Sequence, residues 1–241
     1  MGMASVKIIS NPFKQWAQDS AKEANAILEN AGFRIVGSMA DATVCFGGDG
    51  TILYANHEGK IDGAVLGVGG ERSVICQLRK DNWKEDIVDL LKKGRTERKL
   101  MLEAICGDKK YTAINDFVVH SKDYRVIWID VEIKSALGSE LARFEADGLI
   151  VSTATGSHAY AYSAGGKKLN MKSKKIEIVP ICPYKREFSA KVLPQGAVVT
   201  INADREAGFV VDGIFIKDLA PNEKVTVQFS KFIRFFRRPS K

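Results

Sequence analysis

Cysteine, histidine and proline are all scarce in this chain of 241 residues, at four, three and six. Cys45, Cys76, Cys106 and Cys182 are widely scattered, with no CxxC pair and no histidine at ligand spacing, so the expectation is buried, reduced thiols rather than a metal site. No apolar run approaches the ~18 to 20 residues that cross a bilayer, and no charged-then-apolar leader is present. A soluble, cytoplasmic protein without membrane partners is expected. The phosphate loop GxxxxGK[ST] is missing, as are the protein-kinase signatures, which excludes those two nucleotide-binding classes. There is no internal repeat and no low-complexity linker.

What is present fits a folded globular protein: 45% of residues are hydrophobic, and the length suits one large domain or two ordinary ones. Lys plus Arg exceed Asp plus Glu by 36 to 29, a net charge of +7 that favours anionic partners such as nucleotides or polyphosphate, or simply a solvated lysine surface. The dense basic cluster, Arg234 with Arg237 and Arg238, is interleaved with Phe235 and Phe236 and reads as a docked final strand. No RNA- or DNA-reading motif accompanies it, so nucleic acid is not an expected partner.

Along the chain, residues 6–10 read as a strand. Pro12 opens a helix whose Phe13, Trp16, Ala17, Ala24, Ile27 and Leu28 fall near helical spacing and which Gly32 ends. Strands at 33–36, 43–46 and 64–68 follow. Asp81 caps a helix running through Lys93, with Gly94 as its stop. This is an α/β domain over residues 1–95. Beyond it the texture turns to β-prone runs at 99–106, 111–120, 125–134, 141–144, 176–180, 197–203, 209–211 and 225–229. Residues 96–241 are therefore expected to form a predominantly β domain, its tail packing back on the first.

The chain is organised around Gly47-Gly48-Asp49-Gly50-Thr51, between the apolar run 43–46 and the helix-compatible stretch 52–57. Glycines let the backbone take positive φ and approach a ligand, and amides at a helix start attract phosphate. A carboxylate there would repel that phosphate. The conflict resolves if a metal bridges the two, or if Asp49 takes a proton from an attacking hydroxyl, as in phosphoryl transfer. A tight turn with a capping Asp is the plain alternative. Gly67-Val68-Gly69-Gly70 is a weak dinucleotide fingerprint, since Arg72 replaces its third glycine.

A second informative stretch runs Asp147-Gly148-Leu149-Ile150-Val151-Ser152-Thr153-Ala154-Thr155-Gly156-Ser157-His158-Ala159-Tyr160. It sets hydroxyls and glycine between a strand and a helix start, where they can serve a base or a phosphate, with His158 or Tyr160 available to stack. A well-capped strand-to-helix turn is its plain alternative. Asn115-Asp116 interrupts the apolar run 111–120, as a β-bulge or turn would.

Taken in order, the GGDGT turn, Asn115-Asp116, the 147–166 motif through Ser163-Ala164-Gly165-Gly166, Pro180-Ile181-Cys182-Pro183 and Val211-Asp212-Gly213 resemble the NAD kinases over nearly the whole chain. The long central motif is the specific part, because lipid kinases and phosphofructokinases share GGDGT. The resemblance implies an α/β domain followed by a β-rich one, and phosphorylation of the 2′-hydroxyl of NAD's adenosine ribose. It implies Asp49 as proton acceptor, Gly50 and Thr51 at the phosphates, and Asn115 and Asp116 at the adenosine. Asp147, Thr155, Ser157, His158, Ala159, Tyr160 and Ser163 would complete the dinucleotide pocket, with Asp212 approaching from a late strand. It further implies Mg²⁺ or another divalent cation, ATP or polyphosphate as donor, and a homo-oligomer, dimer or tetramer.

The chain departs from the family pattern at Asp116, where Glu is usual, at His158, where Thr is usual, at Tyr54, where Arg is usual, and across 67–73. Two other functions stay open on these residues: a binder of NAD or NADP that does not turn over, and a GGDGT kinase for another hydroxyl acceptor.

Overall fold

The computed structural model describes residues 4–136 and 138–237. Two compact units divide the chain, Met1–Arg98 with Ile233–Lys241, and Lys99–Phe232. Arg238, part of the basic cluster read from the sequence, lies outside the described residues.

The first unit runs β1 (Ser5–Ser10), α1 (Gln15–Asn30), β2 (Arg34–Ile35), β3 (Ala42–Phe46), α2 (Asp49–His57), β4 (Ala64–Gly69), β5 (Leu78–Arg79) and α3 (Trp83–Lys93). Its strands pair in parallel in the order β2-β1-β3-β4-β5. Every residue of β3 and β4 is buried, the pattern of central strands covered on both faces. Ala17, Ala24 and Leu28 of α1 and Trp83, Ile87 and Leu90 of α3 share one core with Val44, Phe46, Leu66 and Val68. Trp83 meets Phe46 edge to face at 5.0 Å, and burial of a side chain such as Phe46 is worth roughly 1.5–3 kcal/mol. Phe235, near the chain's end, pairs with Val65 of β4.

Helix starts differ from the sequence reading. The first helix begins at Gln15 rather than Pro12, because 11–14 form a turn in which Asn11 Oδ1 accepts the Phe13 N–H at 2.9 Å. In α3 the N-cap position is Asn82, not Asp81, and it makes no side-chain cap. Gly94 does stop that helix, its N–H bonding Leu90 O at 2.8 Å.

The second unit holds β6 (Thr96–Cys106, from Lys99 on), β7 (Lys109–Ala113), β8 (Asp116–Ser121), β9 (Ile127–Ser135), β10 (Gly138–Ala146), β11 (Gly148–Thr153), the one-turn α4 (Tyr160–Ser163), β12 (Ile176–Ile181), β13 (Lys191–Leu193), β14 (Val198–Ala203), β15 (Ala207–Val211), β16 (Ile214–Leu219) and most of β17 (Val225–Phe236). One antiparallel sheet is ordered β13-β12-β11-β8-β15-β16, and in the other β10-β9-β14-β17 lie side by side. Leu102, Phe117, Val119, Ile129, Val131, Phe144, Val151, Ile178, Val199, Phe209 and Val227 form a continuous core. The polar pair read as an interruption at 115–116 is where the chain changes partners: β7 pairs with β6, whereas β8 pairs with β11 and β15.

Cys45, Cys76 and Cys106 are buried, as expected, and burial pushes the Cys45 thiol up to about 12. Cys182 corrects the expectation. It is exposed at φ 46°, where the backbone turns out of β12.

Candidate functional site

Each unit contributes its own cluster of polar groups. In the first, β1 lies between β2 and β3, so the loops that follow β1 and β3 leave the sheet in a crevice where open parallel sheets bind ligands, outside their carboxyl ends. The glycine turn fills that position. Gly47 has φ 141°, and a Cβ there would stand 2.2 Å from Thr51 Oγ1 and 2.6 Å from Asn11 Cβ, so no side chain fits. The Gly47 and Gly48 amides both bond Val68 O, at 3.1 and 3.0 Å, and Thr51 N bonds Gly48 O. The amides of Asp49 and Gly50, in the first turn of α2, are left without a partner among the described residues. An anion at this helix start would meet those two amides, not those of all three glycines.

Asp49 is half-buried, and both its oxygens are in use: Val74 N–H donates to Oδ2 at 2.6 Å and Ile75 N–H to Oδ1 at 3.2 Å. The Cys76 thiol also hydrogen-bonds this carboxylate, so of its roughly four lone-pair sites about one remains for a proton or a ligand. The loop carrying those amides follows β4, as the glycine turn follows β3. Sequence reasoning singled out residues 67–73 but missed the amides of Val74 and Ile75. The loop's position after an adjacent parallel strand was the available signal.

The second cluster lies on one face of the antiparallel sheet in the second unit. A cavity of about 360 Å³ is lined by Asn115, Asp116, Val118 and His120, by Val210, Asp212 and Gly213, and by Ala159 and Tyr160. Asp116, Val118 and His120 alternate along β8, so they share a face, and Val210 stands opposite Val118. Asp212 sits just beyond β15 at φ 51°. Its carboxylate gathers the backbone amides of Ile114 (2.9 Å), Asn115 (2.7 Å) and Asp116 (3.1 Å), which ties the bend at 114–116 to the end of β15.

Asp116 is buried, and its carboxyl is pushed up to about 7, first by burial and then by the charge of Asp212. Asn115 Oδ1 is buried with no hydrogen-bond partner. An unpaired buried acceptor costs about 1–3 kcal/mol unless a ligand or water donates to it. His120 Nδ1 lies 2.7 Å from Ser121 O, and because a carbonyl can only accept, that ring nitrogen carries the proton. The walls are therefore apolar with several acceptors, a surface suited to a group bearing hydroxyl and amino donors.

The 147–166 stretch supports this cavity more than it lines it. Thr153 Oγ1 donates to Ile114 O at 2.7 Å and accepts the amides of Thr155 and Gly156, capping the short turn Gly156–His158. Gly156 has no room for a Cβ, which would come within 2.3 Å of Asn115 O. Ser157 Oγ donates to Ala154 O and accepts the Leu169 amide, and His158 Nε2 lies 2.8 Å from Leu169 O. Thr155 and Ser157 are buried and Ser163 is exposed. None of Asp147, Thr155, Ser157, His158 and Ser163 lines the cavity, while Ala159 and Tyr160 do. Asp147 acts nearby: burial, then the charges of Cys182, Asp116 and Asp147, hold the Tyr160 phenol above its usual range. Val118, His120 and Val210 were missed by sequence reasoning, although period-two counting from Asp116 along β8 reaches the first two.

The model of the ATP-NAD kinase C-terminal domain matches residues 114–236. The NAD kinase of Chlorobium limicola is 32% identical over 206 residues, covering 80% of this chain and 69% of that protein. The NAD kinase of Sulfurisphaera tokodaii is 30% identical over 234 residues, covering 91% of each. In fold, the chain is similar to an NAD kinase from Archaeoglobus fulgidus solved in complex with ATP, with a TM-score of 0.83, 23% identity and coverage of 97% and 94%. It is likewise similar to yeast NADH kinase complexed with NADH, at a TM-score of 0.85, 19% identity and coverage of 99% and 84%. The α/β unit followed by β-rich sheets is thus the fold of those solved structures, and the sequence relatives place the chain in a class of kinases, enzymes that transfer a phosphoryl group to an alcohol. Within that class, the chain belongs to the NAD kinase family.

Proposed function

We propose that this enzyme transfers the terminal phosphoryl group of ATP or polyphosphate to the 2′-hydroxyl of the adenosine ribose of NAD, giving NADP, with Asp49 accepting the hydroxyl proton. The observation that carries the acceptor half is the cavity in the second unit, where Asn115 Oδ1 is buried and unpartnered beside the carboxyl of Asp116. Hydroxyls of a ribose and the amino group of a base are the donors such walls lack, whereas a phosphate would meet Asp116 and Asp212. The donor half rests on the glycine turn, whose Asp49 and Gly50 amides are open to phosphate and whose Asp49 carboxylate retains a free lone pair. As the proton leaves the 2′-oxygen for Asp49, that oxygen bonds to the terminal phosphorus and the bond to the leaving phosphate breaks. Phosphoryl transfer asks mainly for alignment and charge stabilisation, so positioned amides and one base suffice as the chain's own contribution.

A divalent cation, Mg²⁺ foremost, belongs to this reading as the partner of the donor's phosphates. Among the described residues no three His, Cys, Asp or Glu side chains stand together as a protein cage, so the cation would arrive with the donor rather than occupy a resident site, and no step above is routed through it. We also propose a cytoplasmic homo-oligomer, dimer or tetramer. No helix among the described residues is long and apolar enough to cross a membrane.

The deciding experiment incubates the protein with Mg²⁺, either ATP or polyphosphate, and either NAD or NADH, and assays phosphorylated dinucleotide. NADP or NADPH formation is the expected result and ranks the donors and acceptors. Calorimetric binding of NAD without product under any pairing would make the protein a binder, and donor consumption only with another alcohol would make it a kinase of a different acceptor.

A further inference from the structure

Asp49 is held by a loop that is itself held by two side chains, Arg79 foremost. Arg79, in β5, directs Nη1 at three carbonyl oxygens of the preceding loop, those of Gly70 (2.5 Å), Glu71 (3.0 Å) and Ser73 (3.4 Å). Gln77 Nε2 draws in the Ile75 carbonyl at 2.6 Å, while its Oε1 accepts the Gly67 amide at 2.8 Å. Because a trans peptide unit is planar with its C=O and N–H opposed, turning the Ser73 carbonyl toward Arg79 turns the Val74 N–H the other way. That N–H donates to Asp49 Oδ2 at 2.6 Å, and Ile75 N–H, the next along, donates to Oδ1.

The anchor is rigid. Arg79 pairs with Gly69 across the β4–β5 ladder, and the Lys80 amide bonds Gly69 O at 2.9 Å. The loop is also packed closely, since a Cβ on Gly69 would stand 2.2 Å from Ser73 Oγ and one on Gly48 3.2 Å from it. The guanidinium thus governs the loop's peptide planes from one side, and the loop governs the Asp49 carboxylate from the other.

We propose that Arg79 is a positioning residue for Asp49: by clamping the carbonyls of Gly70, Glu71 and Ser73 it aims the Val74 and Ile75 amides, which fix the carboxylate rotamer and leave its remaining lone pair facing the reacting hydroxyl. This inference rests on the reading of Asp49 as proton acceptor. Loss of the clamp leaves the base in place but misaimed, and misplacement on this scale costs up to about 10²-fold in rate.

The test is a double-mutant cycle on the full chain with Arg79→Gln, Asp49→Asn and both together, measuring kcat and KM for NAD and ATP, NAD affinity by calorimetry and thermal melting. Arg79→Gln is expected to lower kcat roughly 10- to 100-fold with NAD affinity held within about twofold. Arg79→Lys, which keeps a donor without the planar fork, should recover part of the loss. The double variant should be no slower than Asp49→Asn alone, because a misaimed base costs nothing once the base is gone. Full multiplication of the two losses, or an unchanged kcat in Arg79→Gln, overturns the proposal. Should Arg79→Gln fail to fold, the same cycle with Arg79→Lys decides, coupling supporting the proposal and additivity overturning it. An inactive Asp49→Asn beside a normal Arg79→Gln sinks this inference alone, whereas a fully active Asp49→Asn removes the proposed role of Asp49 and this inference with it.

Discussion

Asp49 and Asp116 are the same side chain in two surroundings. Asp49 stands half-buried at a helix start, and backbone amides donate to both its oxygens. Asp116 is buried in a sheet beside a second carboxyl, that of Asp212, and burial foremost pushes it up to about 7. One region is built from main chain and a single charge, the other from side chains that strand register brings together. A carboxylate with a lone pair still open is suited to taking a proton. One that holds its own proton near neutrality can present an O–H to a ligand, so under the proposed function the two regions divide base chemistry from recognition.

The largest test of that division is Asp49→Asn, which preserves the size of the side chain and removes the basic oxygen. Turnover should fall by roughly 10²- to 10⁴-fold, the usual worth of a positioned general base, while NAD affinity measured by calorimetry stays near its original value. Single-turnover formation of NADP on the same preparation separates chemistry from binding. Near-normal turnover would break the comparison by leaving Asp49 no chemical task, and joint loss of folding and binding would return it to the role of a structural cap.

The two regions were also unequally legible before the fold was known. The glycine turn could be read because its demands are local: the positive φ of Gly47 and Gly48 and the missing Cβ are properties of neighbours in sequence. The parallel strands of the first unit declared themselves as short apolar runs, whereas helix starts did not, since Asn82 and Lys14 occupy N-cap positions without capping side chains. In the second unit the 147–166 motif reached the cavity wall only through Ala159 and Tyr160. Val210 was invisible because it joins the cavity only through the pairing of β8 with β15, a contact between residues some ninety positions apart. Arg79 escaped for a related reason: its partners are carbonyl oxygens, which every residue carries and no composition reveals.

The second test concerns the Asp116 proton. The folded chain holds it up to about 7, whereas the ordinary value is 3.8, so between those pH values the folded state binds more protons than the unfolded one. Stability should therefore decline as pH rises across that window, by an amount on the order of 4 kcal/mol for a shift of this size. Asp116→Asn removes the titrating group. Denaturant midpoints measured from pH 4 to pH 8 should show the variant gaining on the parent as pH rises, and parallel profiles would mean that Asp116 is charged throughout and has no O–H to present to a ligand.

The smallest expected effects separate two neighbours within the recognition region. Tyr160 is 43% exposed and lines the cavity, while His158 Nε2 is engaged with Leu169 O and the ring is absent from the cavity wall. Tyr160→Ala removes an aromatic face on which a base can stack, worth roughly 1–3 kcal/mol by analogy with other nucleotide sites, so dinucleotide affinity should weaken about tenfold or more. His158→Thr removes one tether between the short turn and residue 169, which Ser157 Oγ also holds through the Leu169 amide at 2.9 Å. Its effect should stay within about 1 kcal/mol, the net worth of one hydrogen bond. Titrating both variants with NAD and with NADH by calorimetry gives the ranking directly. A larger loss in His158→Thr than in Tyr160→Ala would move the recognition surface from the face of β8 to the turn at 156–158, and the acceptor-lined cavity would then no longer be the counterpart of the glycine turn.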